Sequence, residues 1–242
     1  MEIEVLVYIL IAVFVVILIA CLTIASYSGS NMWEKYEQIN QHLSSSFTVA
    51  SDFCCMISVN YLSSTVKVGK KQGQLTDAYM SGKKIVFLSE STFSNSSVAA
   101  LAVAAHEMGH ALQDYENPKT LRKHRNYGIA SKLIGFLMYP LIILGIVLLF
   151  VGESIIPSLI CIAGAIIIFL FALIVKLMTI KIEKDASKKA IMFLKQLNVL
   201  EDYEIEYAKK VLDAALLTYI GDFLRALLGW TMLTKKTKLF GG

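Results

Sequence analysis

Three long apolar runs, Val5 to Ala25, Leu133 to Val151 and Ile155 to Leu177, limit what this chain can fold into more than any other feature. As an α-helix, each is close to the roughly 20 residues that cross a hydrocarbon core about 30 Å thick. Of 242 residues, 56% are hydrophobic and 17% charged, an imbalance that a water-soluble domain does not sustain. The second and third runs are separated by Gly152-Glu153-Ser154, with Pro157 just beyond, so they read as a helical hairpin. A further stretch, Ala214 to Leu233, carries Asp222 and Arg225 three residues apart. The two can pair, and the stretch can either cross the bilayer or lie at its surface.

The basic residues orient the chain. Eleven Lys and Arg fall between Ser26 and Lys132 and eight between Lys176 and Lys210, with none before the first run or in the hairpin turn. The positive-inside rule puts both blocks in the cytoplasm. Lys235, Lys236 and Lys238 break the pattern if the last stretch crosses fully, which favours a non-crossing fourth segment. The start, Met1-Glu2-Ile3-Glu4, lacks the basic flank of a cleaved signal peptide, so the first run is expected to be a retained anchor. The net charge of +4 marks membrane sidedness, not a nucleic-acid partner. The cysteines form no spaced framework: Cys21 and Cys161 sit in apolar runs and Cys54 and Cys55 are adjacent, as in a reducing compartment.

These readings divide the chain into an anchor at 1–25, a cytoplasmic catalytic part at 26–132, a transmembrane hairpin at 133–177, and a C-terminal part at 178–242. In the second part, Lys83-Lys84-Ile85-Val86-Phe87-Leu88 follows a Ser81-Gly82 turn signal and reads as a short edge strand able to hold an extended peptide. Ser94-Asn95-Ser96-Ser97 offers N-cap residues to an Ala-rich helix running to about Gln113, which Asn117-Pro118 closes.

That helix carries His106-Glu107-Met108-Gly109-His110, an H-E-x-x-H pattern. Histidines at i and i+4 project from one face and can share a Zn²⁺, while the neighbouring Glu107 can act as general base towards water. Gly109 costs about 1 kcal/mol relative to alanine inside a helix, which suggests a close approach to the backbone there. A catalytic zinc needs a third protein ligand. The metzincin pattern requires His at 116 and Gly at 113, where this chain has Glu116 and Gln113, and His124 is out of register. Glu116 is a weaker candidate. Glu183, in Ile182-Glu183-Lys184-Asp185-Ala186-Ser187, is the better one, because two crossings return it to the side of the membrane that holds His110.

The chain resembles the YugP-type neutral zinc metallopeptidases, a bacterial membrane family related in layout to the HtpX and CaaX prenyl proteases. The segments that carry the resemblance are Ile85 to Glu90, Ser96 to Ala99, Val103 to Gln113, Glu183 to Ser187 and Val211 to Tyr219. It implies that His106, His110 and Glu183 are ligands of Zn²⁺ and Glu107 the catalytic base. Lys184 departs from the aromatic residue usual in the family, and Ser187 stands where wider relatives have Asp, so Ser187 or Asp185 is left to orient a ligand. The expected fold is a mainly α membrane protein with three to four transmembrane or membrane-embedded helices and a cytoplasmic gluzincin-like α+β catalytic unit. The expected chemistry is metal-assisted peptide-bond hydrolysis, on a peptide or membrane-protein substrate, with Tyr219 and Arg225 as candidate oxyanion partners. A zinc-stabilised scaffold without activity is the rival reading, and the intact Glu107 argues against it.

Overall fold

A computed structural model describes residues 2–151 and 155–227. The hairpin turn at Gly152-Glu153-Ser154, the end of the fourth apolar stretch and the tail lysines lie outside the described residues. The chain is mainly helical: α1 (Glu2–Asn40), α2 (Ala50–Tyr61), α3 (Glu90–Phe93), α4 (Val98–Glu116), α5 (Pro118–Gly135), α6 (Met138–Val151), α7 (Ile156–Gln196) and α8 (Asp202–Leu227). Three short strands, β1 (Lys67–Lys71), β2 (Ala78–Met80) and β3 (Ile85–Ser89), form one sheet.

The chain divides into two compact units, Met1–Pro118 with Ile180–Gly242, and Lys119–Thr179. In the second, apolar side chains face outwards, with Phe150 86% and Ile167 67% exposed, as lipid-facing positions require. Close packing ties its helices: Ser158 donates to the Gly145 carbonyl at 2.6 Å, and a Cβ on Gly145 would lie 3.0 Å from Ile162. Two helical stretches, Pro118–Val151 and Ile156–Gln196, are long and apolar enough to cross a membrane.

The first unit is built around α4. Ser97 caps it, its side chain accepting from the Ala100 amide at 3.1 Å, and so satisfies an amide that the helix leaves unpaired. From Val98 to Gly109 every residue is buried, which the run of alanines permits because small side chains let neighbours approach from all sides. Phe53 and Ile57 of α2, Val86 and Leu88 of β3, Phe193 and Leu194 of α7, and Ile205 and Val211 of α8 complete the core. Each large apolar side chain buried this way contributes about 1.5–3 kcal/mol.

The strand expected at the sheet edge is in fact central. β3 pairs parallel with β1 and antiparallel with β2, so both its sides are used and it has no free edge to offer a peptide. It also starts at Ile85 and not at Lys83, because Lys84 has φ 53°, a left-handed conformation that turns the chain instead of extending it. The free edges belong to β1 and β2.

Candidate metal centre

Within α4, His106 and His110 lie one turn apart on the face turned to α7, where Glu183 and Ser187 are likewise one turn apart. The three expected ligands come together: their ligand atoms all lie within 4.8 Å of one another. His106 Nε2 is 3.1 Å and His110 Nε2 3.4 Å from the same oxygen of Glu183. Bonds of about 2.0–2.1 Å in a tetrahedral zinc site separate ligand atoms by about 3.3 Å, so the donor set fits that ion.

The far nitrogen of each ring is occupied. His106 Nδ1 is 3.2 Å from the Ser187 hydroxyl, and His110 Nδ1 is 3.0 Å from Gln113 Oε1. An Nδ1–H donated to Oε1 leaves the Nε2 lone pair of His110 free for a metal. Gln113 is itself anchored, its amide nitrogen donating at 2.8 Å both to the Ile182 carbonyl and to Asp185. Gln113 was not singled out from the sequence except as a mismatch to another pattern. The signal that could have found it is its position one turn after His110 on the ligand face.

Gly109 is where the two helices meet. A Cβ there would sit 2.5 Å from the Ala186 carbonyl oxygen, so the missing side chain is what lets α7 bring Glu183 to the histidines. Glu116 is turned elsewhere, paired with Lys189 at 2.8 Å, and Lys184 is exposed. Burial and the nearby Glu183 carboxylate push the Tyr219 hydroxyl of α8 well above its ordinary range, whereas Arg225 is paired with Asp222 at 2.6 Å.

Burial raises the Glu107 carboxyl above its usual range, with His110 and His106 pulling part of the way back. Burial works against charge on His110 too, but the Glu183 carboxylate outweighs it and pushes the imidazole up to about 9. Glu183 itself resists ionisation through burial, yet His110 and His106 hold it well below the usual carboxylate range. The Glu183 carboxylate and the His110 imidazole hold each other as an ion pair across the site, and a metal cation bound there would take the place of the imidazole's proton. Glu107 is 2% exposed and accepts the Tyr79 amide of β2 at 2.7 Å, a contact that nothing local in the sequence announced.

Residues 8–235 match the model of the family described as "putative neutral zinc metallopeptidase", and the chain belongs to that family. It is 32% identical over 204 residues, 84% of this chain and 85% of the relative, to a Bacillus subtilis (strain 168) protein described as "putative membrane protease YugP". No solved structure matches it.

Proposed function

We propose that this member of the neutral zinc metallopeptidase family is a multi-pass membrane peptidase that hydrolyses peptide bonds at the cytoplasmic face. The observation that carries the reading is the convergence of His106, His110 and Glu183 within 4.8 Å beside the buried carboxylate of Glu107. His106 and His110 through Nε2, and Glu183 through a carboxylate oxygen, would hold one zinc ion. Bound there, zinc supplies Lewis acidity, polarising a scissile carbonyl and making water acidic enough to lose a proton near neutral pH. Glu107 takes the proton from the attacking water and returns it to the leaving amine. A raised carboxyl suits that duty, since a base works best when its affinity for the proton lies near the operating pH.

Ser187 and Gln113 hold the two rings. Tyr219, whose hydroxyl is kept protonated by burial and the nearby Glu183, is a candidate to donate to a developing oxyanion; Arg225 is engaged with Asp222. An extended peptide or an unstructured stretch of a membrane protein would be the substrate. The distribution of Lys and Arg, the two apolar helical stretches and the relative described as a membrane protease support the placement in the membrane.

The test is zinc per chain in the full-length protein purified in detergent, alongside hydrolysis of a quenched fluorogenic peptide pool. The reading expects about one zinc in the parent, loss of zinc in Glu183→Ala and His110→Ala, and retained zinc without hydrolysis in Glu107→Gln. A metal-replete parent without zinc, or a Glu107→Gln protein that still cleaves, would sink it. A cellular role that survives Glu107→Gln would instead favour a scaffold.

A further inference from the structure

α4 carries a second functional face. Glu107 and Asp114 are seven residues apart and so share a stripe two turns long, and both meet the β2–β3 hairpin. The Tyr79 hydroxyl donates to Asp114 Oδ2 at 2.8 Å, and the Lys84 ammonium binds the same oxygen. Asp114 is buried, so these partners satisfy a carboxylate that would otherwise be costly to remove from water. Lys84 holds a left-handed conformation, φ 53°, that a lysine rarely adopts unaided, and the ion pair to Asp114 holds the turn there.

The same strand reaches Glu107. Tyr79 lies opposite Val86 in the antiparallel pairing, and its amide points away from β3 to donate to Glu107 Oε2 at 2.7 Å. Among the described residues, this is the only hydrogen bond that the Glu107 carboxylate accepts. β2 is three residues long and paired on one side only, too short to be rigid by its own ladder. Its start is tied to β3 by Asp77, which accepts from the Ser89 amide and hydroxyl; its end is held by the anchoring of the Tyr79 ring and the following turn to Asp114.

We infer that Asp114 is a positioning residue for proton transfer: with Lys84 and Tyr79 it clamps β2 so that the Tyr79 amide holds the Glu107 carboxylate in its working orientation. The inference rests on the reading of Glu107 as the base. A clasp that merely stabilised the hairpin would affect folding without touching Glu107, and a clasp that served only to dock substrate on β2 would change KM.

The test uses full-length, zinc-loaded protein in detergent and two conservative variants, Asp114→Asn and Tyr79→Phe. The first readout is hydrogen exchange at the Tyr79 amide, which is independent of activity; Glu107→Ala, which removes the acceptor, is the reference for a freed amide. Exchange about tenfold or more faster in both variants, approaching the Glu107→Ala rate, is expected, with zinc content as in the parent. The second readout is the split between kcat and KM on a fluorogenic peptide that the parent cleaves. A fall in kcat of about tenfold to a hundredfold with KM within about twofold is expected for a misplaced catalytic group. Parent-like exchange at Tyr79, raised KM with unchanged kcat, or a kcat loss that merely tracks lost zinc would each overturn the inference. A parent that cleaves no peptide but shows the exchange response would refute the hydrolase reading while upholding the coupling of Asp114 to Glu107.

Discussion

Replacing Gly109 by alanine adds one methyl group at the point where α4 and α7 touch. The new Cβ would lie 2.5 Å from the Ala186 carbonyl oxygen, 3.1 Å from its carbonyl carbon and 3.2 Å from its Cα. All three are backbone atoms, so no rotamer change relieves the clash. Restoring an ordinary C···O contact of about 3.3 Å requires the helices to part by about 0.8 Å. Overpacking of this kind costs about 1–3 kcal/mol, while alanine returns about 1 kcal/mol of helix propensity, so the net loss of stability is about 0–2 kcal/mol. The effect on metal binding is larger. Glu183 is one turn before Ala186 on α7 and moves with it, lengthening the 3.1 and 3.4 Å separations from His106 and His110. Zinc sites tolerate about 0.2 Å in ligand position, so Gly109→Ala is expected to weaken zinc binding about a hundredfold, or about 2.7 kcal/mol. Chelator competition on detergent-purified protein measures the affinity, and denaturant unfolding of the metal-free protein measures the stability. A Gly109→Ala protein that binds zinc as tightly as the parent would refute the claim that this contact sets the ligand geometry.

Gln113→Ala removes the partner of His110 Nδ1 and is expected to lower zinc affinity about tenfold to a hundredfold, with unfolding little changed; unaltered affinity in the same competition assay would count against its orienting role. Glu107→Gln is expected to keep zinc and reduce peptide hydrolysis at least about a hundredfold, read from metal content and turnover on one preparation. Ser97→Ala should destabilise the first unit by about 1 kcal/mol through loss of the α4 cap, and an unchanged unfolding midpoint would contradict that. Asp114 is held below the usual aspartate range because, although burial works against its charge, its bonds from Lys84 and Tyr79 outweigh that burial. A depressed carboxylate contributes stability that is present above its unfolded pKa of about 3.9 and is lost as pH falls through the lower folded value. Asp114→Asn is therefore expected to be less stable than the parent at neutral pH, with the gap closing in strong acid; a gap independent of pH would show that the charge is not what matters.

Periodicity and spacing made the local chemistry legible. His106 and His110 share a face because they are four residues apart on a helix, Glu107 follows from the same motif, and the apolar runs announce themselves by length. The glycine inside an otherwise alanine-rich helix even signalled a close neighbour, which proved to be the Ala186 backbone. Glu183 is expected on the same side as His110 from its position after the two apolar runs of the hairpin, and the structure places it beside both histidines. The sequence could not say which strand is the edge, because a short β-rich run reads the same whether its neighbours number one or two. Only pairing with both β1 and β2 made β3 central. Likewise Tyr79, 28 positions before Glu107, and Gln113, joined to Asp185 72 positions later, act through contacts between elements distant in the chain. A helix or a motif is decided by neighbours three and four residues away, but the orientation of a ligand ring or a base is decided by whatever the packed elements bring against it.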